Sequence, residues 1–127
     1  MIFAILIYGS EADQERVPAE EVDALMERHS DLRRELSAAQ RLGPVLRLRP
    51  NAARIVRRYK DRRFVTDGPF AETKEQLMGI YIVDYPTIED VDHAIDQLDF
   101  PGGVFEVRPL DHFEPGQLAA EVPARYL

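Results

Sequence analysis

Between Val65 and Leu77 the chain reads Val65-Thr66-Asp67-Gly68-Pro69-Phe70-Ala71-Glu72-Thr73-Lys74-Glu75-Gln76-Leu77. Three carboxylates and a lysine thus sit on and just after a sharp turn, because Asp before Gly and Gly before Pro both favour a change of chain direction. Asp67 has two readings: a general base or ligand hydrogen-bonder, or a turn stabiliser that accepts backbone N–H groups. Glu72 and Glu75 meet only if the segment curls. Such a pair would push one carboxyl towards neutrality, as proton transfer requires, while Lys74 would stabilise both charges. The alternative is a solvated turn with a local ion pair. Asp67 and Glu72 are therefore catalytic candidates and Lys74 and Glu75 ligand-binding candidates, with Gly68, Pro69 and Phe70 as scaffold.

The remaining totals narrow the chemistry. A chain of 127 residues with 45% apolar and 31% charged residues suits one globular domain with a real core. Its formal charge of −7 argues against non-specific nucleic-acid binding, which needs a positive surface. Arg47, Arg49, Arg54, Arg57, Arg58, Lys60, Arg62 and Arg63 nevertheless crowd one region and read as solvated strand and hairpin residues. With no cysteine, disulfides, thiolate nucleophiles and Cys-ligated metals are excluded. Three scattered histidines lack ligand spacing, so no metal site is expected, and no cofactor fingerprint, phosphate loop or serine elbow is present. Met1 to Tyr8 is apolar but too short for a membrane span and lacks a basic leader, which points to a cytoplasmic protein without membrane contact.

The elements that must position these groups follow from periodicity. Ile2 to Tyr8 reads as a buried strand ended at Gly9, followed by a polar connection to Val17. Pro18, with Glu20 and Glu21 behind it, opens a helix whose apolar stripe is Val22, Leu25, Met26, His29, Leu32, Leu36 and Ala39. That helix runs to about Gln40 and is closed by Leu42-Gly43-Pro44. A second strand begins at Val45, and residues 54–59 and 62–66 form a hairpin around Lys60-Asp61. Leu77 to Val83 is a further apolar strand. Thr87 and Asp90 make a capping box for a second helix, and Val104 to Pro109 alternates as a last strand.

Strand, helix, strand, hairpin, strand, helix, strand gives an α+β fold, ferredoxin-like βαββαβ with an inserted β-hairpin. Strands Ile2–Ile7 and Ile80–Val83 are apolar at successive positions, so both faces need cover. Helices cover one. A second copy, packed sheet to sheet, is the simplest cover for the other, and a homodimer is expected.

The motif at 65–77, with Ile5-Leu6-Ile7-Tyr8-Gly9, Tyr81-Ile82-Val83-Asp84 and Phe105-Glu106-Val107-Arg108-Pro109-Leu110, resembles the DGPF-domain branch of the YCII-related family. The likeness covers a domain at 1–113 and leaves a tail at 114–127. It implies the dimeric α/β-barrel type of ferredoxin-like fold. Some members lie beside extracytoplasmic-function sigma factors, and the wider group has been compared with muconolactone isomerase. The resemblance also implies a helix-borne His paired with an Asp before the last strand, which here selects His29 as catalytic and Asp99 as its partner; a structural histidine is the alternative for His29. Where relatives read Gln-Leu-Gly-Gly-Phe-Tyr, this chain has Met78 and Ile80, which would shrink a cleft they border.

Two functional classes remain. One is a dimeric cleft protein binding a small organic molecule, with cofactor-free isomerase or lyase chemistry on Asp67, Glu72 and His29. The other is a non-catalytic ligand-sensing or protein-binding accessory to sigma-factor regulation. In a third view the motif loop is purely structural and holds the dimer together.

Overall fold

The computed structural model describes residues 1–68, 75–118 and 121–127. Strand β1 (Ile2–Gly9) is followed by a short helix α1 (Glu11–Glu15) and the long helix α2 (Ala19–Ala38). After β2 (Leu42–Arg47) come the hairpin strands β3 (Arg54–Tyr59) and β4 (Arg62–Asp67), then β5 (Gln76–Asp84), α3 (Ile88–Asp96) and β6 (Val104–Pro109). The main sheet has the order β2-β5-β1-β6 and every pairing in it is antiparallel. That order is the ferredoxin-like one: the two outer strands of the βαββαβ chain flank the first and third, with the hairpin set aside. The hairpin forms its own two-stranded sheet.

One face of the main sheet carries Phe3, Ile5, Ile7, Tyr81 and Val83 into a core with Leu32 and Leu36 of α2 and Val91, Ala94 and Leu98 from α3 and its end. Because side chains alternate along a strand, Leu6, Ile80, Ile82 and Leu46 point the other way. Leu6 pairs with Ile80 and Ile80 with Leu46, so an apolar patch forms on the uncovered face, where Leu46 is 50% exposed.

Several local details depart from the sequence reading. The polar connection after Gly9 contains α1, capped by the Ser10 side chain on the Asp13 amide. Helix α2 is not ended by Gly43-Pro44. Its last turn closes with the Arg41 amide on the Leu36 carbonyl and the Gln40 amide on Ser37, while Gln40 takes φ 56°. This is the Schellman pattern with Gln where Gly is usual. Gly43 and Pro44 instead lie inside β2, an edge strand with an irregular register there. An edge tolerates Pro, and a Cβ on Gly43 would stand 2.9 Å from the Ile82 carbonyl. The stripe of α2 is also narrower than expected, since Val22 and Met26 are exposed and Leu32 and Leu36 are buried. The capping box of α3 forms as read, with Thr87 and Asp90 bonding each other's backbone amides.

A left-handed Gln costs backbone strain that Gly would not, partly offset by the greater freedom of Gly in the unfolded chain. Gln40→Gly is expected to stabilise the protein by about 1 kcal/mol. Urea unfolding should show a higher midpoint at unchanged slope; an unchanged or lower midpoint would contradict it.

Candidate functional site

Tyr81 sits in the middle of β5, opposite Ile5 on one side and Val45 on the other, and points into the helix-covered face. It is 2% exposed, and its hydroxyl needs partners there. Helix α2 supplies two from successive turns: His29 Nδ1 lies 2.7 Å from the oxygen and Arg33 Nη1 donates to it at 3.2 Å. Positions i and i+4 share one helix face, which is why these two reach a single atom. The imidazole and phenol rings are 5.7 Å apart at a 38° tilt.

The neighbourhood sets the charge states. Burial, then the guanidinium of Arg33, then that of Arg28, lower His29 from 6.5 to about 4, so the ring is neutral at pH 7. Burial raises the Tyr81 phenol despite the opposing pull of Arg33, so it too is neutral. Arg28 reaches across to the end of α3, donating to the carbonyls of Gln97 and Asp99. This locks α2 against α3 and satisfies acceptors where a helix end favours a cation. A groove of about 220 Å³ opens beside it, lined by Glu21, Leu25, Arg28, Phe100 and Pro101 among others. The larger hollow of about 430 Å³ lies at the far end of α2, between Ala39, Arg41 and Asp84. That is ten residues along the helix from His29, or roughly 15 Å, and away from the polar cluster.

Of the residues selected from sequence, His29 belongs to this cluster, and the described others lie apart from it. Asp67 is exposed at the end of β4, in register with Arg54, and Glu75 is exposed before β5. Glu72 and Lys74 lie outside the described residues. Asp99 is exposed, and its backbone carbonyl, not its carboxylate, takes part by accepting from Arg28. The partner of the His29 ring is Tyr81. His93 is exposed, and His112 pairs with Glu114 in solvent. Among the described residues no group of three metal-binding side chains forms. The expectation that Met78 and Ile80 narrow the cleft is corrected by the register. Ile80 alternates to the uncovered face, and Met78 is the extra residue of a bulge, since Ile7 faces Gly79 and Tyr8 faces Leu77. Its sulfur accepts from Gln14 Nε2 at 3.4 Å and packs so close to Gly9 that a Cβ there would stand 2.6 Å away.

Sequence reasoning missed Tyr81 and Arg33. Arg33 reads from sequence as an outward-facing charge beside the stripe, and the available signal was its i+4 spacing from His29, which puts both on one helix face.

The model of the YCII-related domain matches residues 1–114. The chain belongs to the YCII-related family. An uncharacterized protein of Rhizobium meliloti (strain 1021) is 39% identical over 122 residues, spanning 93% of this chain and 98% of its own length. In this YCII-related protein no helix among the described residues is long and apolar enough to cross a membrane.

The depressed His29 value has a stability consequence. The unfolded ring protonates near 6.5 and the folded one near 4, so its contribution is complete above 6.5 and is lost as pH falls from there through 4. His29→Gln should flatten the decline in unfolding free energy over that window. In the parent protein the His29 ring carbons should show no titration by NMR above about pH 5; a midpoint near 6.5 would contradict the burial argument.

Proposed function

We propose that this protein binds a small organic molecule in the cleft between α2 and the sheet and acts on it by cofactor-free proton transfer of isomerase or lyase type. The observation that carries this reading is the placement of His29 and Arg33 on one buried phenol oxygen. An apolar core gains more from a Leu than from a polar relay, so such a relay inside one is a mark of function. Arg28, one of the two guanidinium groups that act on His29, also lines the groove of about 220 Å³ with Glu21 and Phe100, which offers a small molecule space on that flank of the helix. The motif groups Asp67, Glu72, Lys74 and Glu75, with Asp99, form a second set to test, supported by their density of charge and by the Asp67-Gly68-Pro69-Phe70 signature, which also favours the DGPF branch. Fragment screening by NMR is the direct test. Binders should perturb His29, Tyr81 and Arg33, and His29→Ala or Arg33→Ala should weaken them about tenfold with the fold retained. A library in which no fragment moves these signals would sink the reading.

The competing class, a non-catalytic accessory that docks on another protein, draws support from the hairpin. Its exposed Tyr59 and Phe64 sit among arginines, a combination frequent at protein interfaces. The two classes separate by where a ligand's effects fall, on the cleft or on the ribbon.

We also propose a cytoplasmic homodimer, sheet against sheet. The support is the apolar uncovered face built from Ala4, Leu6, Leu46, Ile80 and Ile82. Light scattering at micromolar concentration should give twice the 14.6 kDa of one chain, and Leu46→Lys with Ile80→Lys should give one. A monomeric parent protein would remove this proposal.

A further inference from the structure

The hydroxyl of Tyr81 contacts two groups, and their chemistry fixes where its proton lies. The guanidinium of Arg33 can only donate. The phenol is buried, and among the described residues the remaining group within hydrogen-bond reach is His29 Nδ1. The phenol proton therefore points at Nδ1, and a neutral imidazole that accepts at Nδ1 carries its own proton at Nε2. Among the described residues Nε2 has no hydrogen-bond partner and is not a buried unpartnered atom, so it reaches solvent.

The charges around that N–H are equally one-sided. Arg33 and Arg28 flank the ring, and among the described residues neither forms an ion pair within 4.0 Å. Arg28 spends its donors on backbone carbonyls and Arg33 on the phenol. In a chain of net charge −7, two guanidinium groups with no ion-pair partner among the described residues make the surroundings of this fixed N–H locally positive. A carboxylate fits such a set, because its two oxygens can take one edge of a guanidinium and one imidazole N–H at once.

We infer that His29 Nε2–H and Arg33 receive the carboxylate of a small organic acid, with Tyr81 as the positioning residue that sets the imidazole tautomer. This rests on the small-molecule reading above and deepens it by naming the class of ligand. It also gives His29 a different task from the base of a His–Asp pair: at neutral pH the ring offers a proton to an oxygen instead of collecting one from carbon.

The test is a long-range ¹H–¹⁵N spectrum of the full chain at pH 7, followed by titration with benzoate and with its neutral counterpart benzamide. The expected spectrum has His29 protonated at Nε2 and bare at Nδ1. Benzoate should bind about tenfold tighter than benzamide, as one charge-assisted contact provides, and should move the Nε2 signal. In Tyr81→Phe, with its fold verified by circular dichroism, the two tautomers should mix and the preference for benzoate should shrink. A ring protonated at Nδ1, or benzamide binding as tightly as benzoate, overturns the inference while leaving a small-molecule cleft in place. Failure of both probes and of every other fragment to bind removes the inference together with the reading beneath it. Should Tyr81→Phe not fold, the tautomer and the benzoate-to-benzamide ratio of the parent protein decide alone.

Discussion

A hydroxyl buried under a helix must be hydrogen-bonded, and that requirement at Tyr81 organises much of this protein. Tyr81 rises from the centre of the sheet, between the rows of Ile5 and Val45, and among the described residues its oxygen is served by side chains of α2. The helix above must present polar atoms at one height, and His29 and Arg33 do so from adjacent turns. Together with the buried Leu32 and Leu36, those side chains define which face of α2 meets the sheet. Arg28, on the neighbouring flank, then binds α2 to the end of α3. The electrostatics of the cluster follow from satisfying one buried polar atom within an apolar core.

How far the sequence discloses this depends on whether the signal is local. Strand β1, strand β6 and the capping box of α3 were legible because an unbroken apolar run, alternation and a Thr-x-x-Asp pattern are properties of neighbouring residues. The short helix α1 carried a comparable signal in Ser10 and Asp13 that was outweighed by the polarity around it. The end of α2 was not legible, because Gln40 takes a conformation normally left to Gly and nothing in its type advertises that. The site was least legible of all. Charge density drew attention to residues 67–75, where chemistry-bearing groups crowd together in sequence, whereas the buried cluster joins residues 29, 33 and 81 from two elements. Resemblance supplied His29 but offered Asp99 as its partner. The actual partner, a tyrosine in an apolar strand, looks from sequence like one more core aromatic.

Charge is distributed as unevenly as burial. Half of the sixteen Lys and Arg residues lie between Arg47 and Arg63, although the whole chain is acidic. The hairpin therefore presents a field opposite in sign to that of the body, and an approaching charged molecule meets different potentials at the two ends. The surroundings of His29 are a smaller positive locus within the acidic body, formed by the guanidinium groups of Arg28 and Arg33 held among backbone and phenol acceptors.

The hairpin has one more property that follows from its architecture. Its strands pair with each other and with no strand of the main sheet, and at its base Asn51 bonds the Glu11 carboxylate. A two-stranded ribbon alone has little resistance to local opening. Arg58, Lys60, Arg62 and Arg63 make this ribbon a run of tryptic sites. A protease would thus nick the molecule at the hairpin tip while the main sheet, α2, α3 and the Tyr81 cluster stay assembled as a two-fragment complex. For the same reason the tip is the place where the chain can accept an insertion, a label or a change of charge without disturbing the residues that hold its buried hydroxyl.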